Sequence, residues 1–395
     1  MEDSNPIHPM ENAMITRMRK LGGMAALWAV VASVLLLAPP QADGSETFTT
    51  SVPAAVLMDA ATGEILYEQD IHTQYPPASM VKMMVALIVM EKVREGSLRL
   101  EDSITISGRA AKIGGSQVYL KQGEVFTLEE LMRALMIHSA NDASTAIAET
   151  VAGSVEAFVD LMNLKAQEMG MKDTVFRSVH GLPPGKGQEK DLTSAHDMAV
   201  LGRVLSQNPK ILQWASTVEE PFRGGQFTLH NTNKLLTRYK GMDGIKTGYI
   251  RESGFCITAT AMRDSTRMIA VVMGAPTDAV RTVETTRLLT LGFNTYKTLT
   301  LATAGQPLKQ RLKVKSGKTP DIGLKYASDL RVSVNVNKAS EVVFTEELPE
   351  KIDAPVQEGA VVGKATAKLG DRILGQVDVV SAETNLKASL WERIF

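Results

Sequence analysis

The chain has 395 residues, of which 44% are apolar and 22% charged, which is ordinary globular composition and long enough for two or three domains. A formal net charge of -1 gives no global field that would call for nucleic acid as a partner. The single cysteine, Cys256, excludes an internal disulfide and any cysteine-based zinc or redox motif, and its apolar run, Phe255 to Ala259, predicts burial. The six histidines show no metal spacing, so neither a metal nor an organic cofactor is expected.

At the N-terminus, Arg17, Arg19 and Lys20 precede an apolar stretch from Met24 to Ala38, and small or turn-forming residues follow to Gly44. That is the order of a basic region, a hydrophobic region and a cleavage zone. The stretch is short against the roughly 20 residues of a membrane span. Residues 1–44 are therefore expected to be a signal peptide and N-terminal extension, with an uncleaved anchor as the alternative. Either way the rest of the chain is exported, to the periplasm or the outer face of the cytoplasmic membrane.

Residues 54–70 read as a hairpin turning at Ala61-Thr62-Gly63. After Pro76-Pro77, an apolar helical run begins at Ser79 and reaches about Arg94, with Gly96 as its stop. Residues 100–240 read as helical pieces, clearest over Leu128 to Val151 and Val155 to Met169. Strands return at Gly254 to Met262 and Thr266 to Gly274, followed by a helix from about Asp278 to Phe293. The order predicts an α/β lobe with a helical lobe inserted, together spanning residues 45–297. Over 298–382 short strand-like runs recur (Leu308 to Val314, Leu330 to Val336, Ser340 to Phe344, Val361 to Ala367, Ile373 to Val380), which predicts a small all-β domain. On a helical wheel residues 385–395 place Leu386, Leu390, Trp391, Ile394 and Phe395 on one half. Residues 383–395 are therefore expected to form an amphipathic end resting on a membrane surface.

Three short patterns carry chemistry. Ser-x-x-Lys occurs once, at Ser79 to Lys82, where the proline pair gives way to a helix. Residues three apart share a helix face, so the Lys82 amine can lie beside the Ser79 hydroxyl. Free N–H groups at a helix start suit a developing oxyanion, and a lysine in apolar surroundings loses preference for its charged form. Ser139-Ala140-Asn141 follows one helix and opens another with Asp142 nearby, whereas the other Ser-x-Asn sequences, at Ser206 and Ser333, read as a helix-ending turn and a strand. Lys246-Thr247-Gly248 occurs once and opens the returning strands, offering a cation, a hydroxyl and a glycine that lets a ligand approach the backbone. Each alone reads more readily as an N-cap serine or a strand start than as chemistry. Gly317-Lys318-Thr319 lacks the upstream glycine of a phosphate loop, and no Gly-x-Ser-x-Gly elbow exists.

Together, and in this order, the three patterns resemble those of the penicillin-binding proteins and serine β-lactamases. The surrounding residues narrow the resemblance to the low-molecular-mass serine D-alanyl-D-alanine carboxypeptidases: Pro76 to Lys82, Ser139 to Asn141, His180-Gly181-Leu182, Ala195 to Ala199, and Met273-Gly274-Ala275 leading to Arg281. The resemblance spans about 54–296, and the trailing β domain fits it. It implies a penicillin-binding/β-lactamase-like transpeptidase lobe acting on peptidoglycan stem peptides, with β-lactams as covalent inhibitors. By that resemblance Ser79 attacks the carbonyl between two D-alanines, Lys82 takes its proton, Ser139 relays protons to the leaving amine, and Lys246 adds positive potential. Asn141 would bond the substrate backbone, the N–H groups of Ser79 and Tyr249 would form the oxyanion hole, and Thr247 and Arg281, beside Gly248, would hold the terminal carboxylate. The rival readings are a serine β-lactamase, a DD-endopeptidase and an inactive wall-binding module. No Glu-x-x-Leu-Asn segment, the source of the class A deacylating base, lies between Ser139 and Lys246.

Overall fold

The computed structural model describes residues 48–389. The expected signal segment and the tail beyond Ser389 lie outside them.

Strand β1 (Ala54–Asp59) is buried at every residue, so both of its faces must be covered. Asp59 closes the following turn by accepting the N–H groups of Ala61 and Thr62 at 2.8 and 2.9 Å, and β2 (Ile65–Gln69) returns antiparallel. The sheet is completed by β3 (Met242–Ile250), β4 (Gly254–Arg263) and β5 (Thr266–Ala275), in the order β2-β1-β5-β4-β3 with every pairing antiparallel. The Lys-Thr-Gly strand, β3, is thus an edge strand.

Between β2 and β3 the chain makes the helical lobe: α1 (Lys82–Arg94), α2 (Leu128–Ile137), α3 (Asn141–Ala152), α4 (Val155–Glu168), α5 (Ala195–Leu205) and α6 (Pro209–Ser216). From Lys82 to Val89 helix α1 is buried all round, which places it at the centre of the lobe rather than on a surface. Side-chain caps start most of the others. Thr127 and Glu130 form a reciprocal capping box on α2, Ser154 and Ser194 cap α4 and α5, and Asn208 caps α6 with Pro209 in its first turn. After β5, Thr277 caps α7 (Asp278–Thr295).

Two glycines show how the sheet is sandwiched. A Cβ on Gly292 of α7 would lie 3.1 Å from Leu57 and 3.2 Å from Met268, whereas one on Gly202 of α5 would lie 2.8 Å from Thr258 and 3.5 Å from Ile269. Met268 and Ile269 are neighbours on β5 and so point to opposite faces. Helices α5 and α7 therefore cover the two faces.

The strand Tyr296–Ala302 follows α7 and pairs with Leu330–Asn335; further sheets run through Leu312–Lys315 and through Val342–Glu347, Val361–Leu369 and Arg372–Ser381. This β region has its own core, including Leu312, Ile322, Val332, Ala365 and Val379. It is tied to the catalytic lobe at Asp59, which accepts the Thr298 hydroxyl at 2.6 Å, and at Glu64, which meets Arg372 at 3.4 Å.

Three expectations are corrected. The apolar pattern over Leu128 to Val151 is two helices, because the chain breaks at His138–Ala140. The strand expected from Leu308 begins only at Leu312. The helix expected from Asn385 does not start there: Asn385 bridges Val356, Lys387 bridges Gly317, and Asn385 and Ala388 are buried. Once the backbone finds ladder partners the wheel has no meaning, and Leu390 to Phe395 lie outside the described residues.

Candidate active site

Ser79 sits in one 3-10 turn, Ala78–Val81, that feeds directly into α1 at Lys82. The turn is strained: Ala78 has φ +50°, a left-handed conformation rare for alanine. Two glycines press against it. A Cβ on Gly181 would stand 1.9 Å from the Ala78 carbonyl oxygen, and one on Gly248 would stand 2.5 Å from that of Pro77. The backbone around Ser79 is thus clamped between the His180-Gly181 turn and the edge strand β3.

Lys82 is fully buried and donates to Ser79 Oγ at 3.0 Å and to the His180 carbonyl at 2.9 Å. Burial, and then the Lys246 charge, push its pKa well below that of an ordinary lysine, while Asp191 and Asp142 pull the other way. A neutral amine here has a lone pair to receive the Ser79 proton. Burial and the nearby Lys82 also lower the His180 ring to about 4, so at neutral pH it is uncharged, and its Nδ1 accepts the Leu182 N–H at 3.2 Å.

The Ser139 turn is built differently. His138 ends α2, Ser139 takes φ +64°, and Ala140, extended at φ -61° and ψ 122°, stands at the start of α3. Ser139 is therefore not an N-cap, and alanine fits at 140 because the left-handed residue is its neighbour. Asn141 Nδ2 donates to the Gly114 carbonyl at 2.7 Å, and its main-chain N–H to that of Ser116 at 2.7 Å. Asp142, buried, accepts Val118 N–H at 3.1 Å and Leu120 N–H at 3.0 Å, fastening the 114–120 loop beside the turn. Ser139 Oγ and Asn141 Oδ1 are buried and accept or donate no hydrogen bond among the described residues. Buried polar atoms are normally paired, so these two point to a slot that a ligand completes. His138 Nδ1 accepts the His230 N–H at 3.2 Å.

On β3, Lys246 is buried, and burial followed by the Arg281 charge lowers its pKa to about 7. The Thr247 hydroxyl donates to Thr232 Oγ1 at 2.7 Å. Tyr249, half exposed, packs its ring on Phe255 with centroids 4.2 Å apart, and the Arg281 guanidinium lies 5.7 Å from the same Phe255 ring. Arg281, near the start of α7, is buried rather than a surface arginine; it pairs with Asp278 and donates to the Cys256 carbonyl at 3.4 Å. Cys256 is buried as its apolar run predicts.

The fold thus brings a serine and its amine into contact, sets Lys246 of the edge strand within electrostatic reach of Lys82 on one hand and of Arg281 on the other, and leaves Ser139 Oγ and Asn141 Oδ1 without hydrogen-bond partners among the described residues. Sequence reasoning missed the His180 carbonyl, the clamping role of Gly181, the 114–120 loop, Thr232 and Asp191. The Gly114-Gly115 pair was the one available signal: a Cβ on Gly115 would stand 2.6 Å from Asn141 Nδ2.

Comparison with known proteins bears on the same residues. The profile of the D-alanyl-D-alanine carboxypeptidase family matches residues 41–277, and that of the penicillin-binding protein 5 C-terminal domain matches 296–386. The chain is 36% identical over 352 residues to D-alanyl-D-alanine carboxypeptidase DacF of Bacillus subtilis (strain 168), covering 88% of this chain and 89% of that one. Its fold is similar to the crystal structure of penicillin-binding protein 5 from Haemophilus influenzae, with a TM-score of 0.75 and 29% identity over 87% of this chain and 100% of that one. It is also similar to the ampicillin-bound crystal structure of penicillin-binding protein D2 from Listeria monocytogenes, with a TM-score of 0.57 and 29% identity over 62% of this chain and 99% of that one. The chain therefore belongs to the D-alanyl-D-alanine carboxypeptidase family, serine hydrolases of the penicillin-binding type.

Proposed function

We propose that this carboxypeptidase works through an acyl-enzyme on Ser79 and removes the terminal D-alanine from peptidoglycan stem peptides. The contact that carries the proposal is Ser79 Oγ to Lys82 Nζ at 3.0 Å, with the amine buried and driven toward its neutral form. Ser79 Oγ bonds to the carbonyl carbon of the D-Ala-D-Ala peptide bond as its proton passes to Lys82. The oxyanion faces the helix-start N–H of Ser79 and the edge-strand N–H of Tyr249. The proton then moves through the Ser139 hydroxyl to the leaving amine, the C–N bond breaks, and D-alanine departs, leaving an ester. Water, deprotonated by Lys82, attacks that ester; the carboxylate product leaves and Ser79 regains its proton.

The polar slot supports the substrate's place. Asn141 Oδ1 is free to accept a backbone N–H of the stem peptide. The terminal carboxylate lies toward Thr247, Gly248 and Arg281, with Lys246 supplying further positive potential. A β-lactam follows the same first step and remains as the ester. The lack of a Glu-x-x-Leu-Asn segment between Ser139 and Lys246 supports an enzyme that β-lactams trap rather than one that destroys them. We further place the protein outside the cytoplasmic membrane, carried there by residues 1–44. No helix among the described residues is long and apolar enough to cross a membrane.

Purified protein should be labelled once by a fluorescent penicillin, at Ser79, and should release D-alanine from a D-Ala-D-Ala peptide. Ser79→Ala should fold and lose both. Labelling that persists in the variant, mapped by peptide mass, would overturn the assignment; rapid penicillin turnover would favour a β-lactamase.

A further inference from the structure

A buried carboxylate that the mechanism does not use lies behind the base. Asp191, 5% exposed, stands in a segment stitched to two others. Its neighbour Leu192 exchanges both main-chain bonds with Val175 at 2.9 Å, and Thr193 exchanges both with Tyr75, at 2.7 and 2.9 Å, three residues ahead of Ala78. One Asp191 oxygen accepts the N–H groups of Arg177 and Ser178 at 2.6 and 2.9 Å, and the other accepts the Ser178 hydroxyl at 2.7 Å. Ser178 Oγ in turn accepts the Gly181 N–H at 2.8 Å. Those bonds fix the turn that presents the His180 carbonyl to Lys82 and lays Gly181 against the Ala78 backbone.

We propose that Asp191 is a positioning residue for the Lys82 base, holding the His180–Gly181 turn against the nucleophile and setting a buried carboxylate near Lys82. The inference rests on Lys82 being the base. A chain of three bonds transmits the position: carboxylate to Ser178, Ser178 to Gly181, and the adjoining carbonyl to the amine. The charge acts separately. The groups facing Lys82 are Lys246 from β3, Asp142 from α3, and His180 and Asp191 from the 177–191 segment. Lys246 favours the neutral amine; the two carboxylates favour the ammonium. Asp191 thereby keeps the amine basic enough to accept a proton while burial and Lys246 keep it unprotonated.

Two variants separate position from charge. Asp191→Asn retains an oxygen for the two N–H groups and removes the charge. Asp191→Ala removes both. Acylation by a fluorescent penicillin, measured as initial binding and as the acylation step across pH, is the readout, with Tm recorded for each protein. In Asp191→Asn the acid limb should move to lower pH, by up to about one unit, because losing a nearby carboxylate makes Lys82 shed its proton more readily. In Asp191→Ala the acylation step should fall about ten- to a hundredfold with initial binding unchanged, since two N–H donors and a hydroxyl lose their acceptor. An unshifted limb in the asparagine variant, together with an alanine variant whose loss merely tracks its unfolded fraction, would overturn the proposal. Lys82→Ala measured in parallel tests the underlying reading: if it keeps the native limb, Lys82 is not the base, whatever Asp191 does.

Discussion

The two left-handed turns that flank the site, at Ala78 and at Ser139, are opposites in how they are supported. The Ala78 turn is closed: Gly181 and Gly248 lie flush against its backbone, and the Ser79 hydroxyl already meets Lys82. The Ser139 turn is held from one side by the 114–120 loop and Asp142, and its buried hydroxyl and the Asn141 amide oxygen have no hydrogen-bond partner among the described residues. Strain in a sparsely populated backbone region persists only where surrounding structure enforces it. The first turn spends that enforcement on fixing a reactive atom, the second on keeping two polar atoms unsatisfied. One side of the site is finished by the fold, and on the proposed reading the other is finished by the substrate.

That contrast breaks most sharply at Lys82. If the closed turn exists to pair the serine with a neutral base, a permanent cation in the same place should fail. Lys82→Arg keeps the charge and cannot release a proton at working pH. Acylation by penicillin should fall by about a thousandfold or more, as badly as in Lys82→Ala, since loss of a general base is worth about 10²–10⁴. Acylation of the arginine variant within a few fold of native would show that charge alone was needed there.

The open turn predicts a smaller and more selective effect. Asn141→Ala removes an unpaired acceptor, Oδ1, along with a donor that holds Gly114. Loss of one substrate hydrogen bond should lower kcat/KM for D-Ala-D-Ala peptides by about tenfold, at about 1.4 kcal/mol per factor of ten. Stability should change less than the two loose ends of a closed network would imply. An Asn141→Ala enzyme with native kcat/KM would mean that the slot is filled by water and not by substrate.

The difference between the turns also explains what the sequence made legible. Ser79 and Lys82 could be read because helix spacing places residues three apart on one face, and the proline pair marks where the helix starts. The sheet could be read from β-branched runs with turns between them, and β1, β4 and β5 stand where those runs lie. At Ser139 the break between two helices could be read, but its left-handed conformation could not, because the bonds that fasten the neighbouring 114–120 loop come from far along the chain. Asp191, the His180 carbonyl and Thr232 were invisible for a related reason: each acts through a main-chain group or a contact far along the chain, and no local period records that. Residues 385–388 failed in the opposite sense, since an amphipathic wheel fitted a segment that instead pairs with Val356 and Gly317. A short apolar pattern does not choose between helix and strand when a sheet edge is waiting.

The edge strand lies between the two turns, and Lys246 on it gives the finest test. Burial and the Arg281 charge bring its pKa to about 7, so near neutrality it stands half protonated in the free enzyme. As a group whose ordinary value lies far higher, it is charged below that value and neutral above it. If its positive charge helps hold the substrate carboxylate, kcat/KM should decline as pH rises through about 7, while the deprotonation of Lys82 governs the acid side. Lys246→Arg stays protonated throughout, because guanidinium does not titrate in this range. The variant should therefore lose the alkaline decline while paying a few-fold penalty near pH 6 for the altered shape of the cation. On the acid side Lys246 is already a cation in the native enzyme, so the acid limb set by Lys82 should stay where it is. Only the alkaline limb thus moves, a one-sided broadening that a simple packing defect would not produce. An alkaline limb that stays near pH 7 in Lys246→Arg would assign it to another group, and the open side of the site would then owe its carboxylate recognition to Arg281 and Thr247 without Lys246.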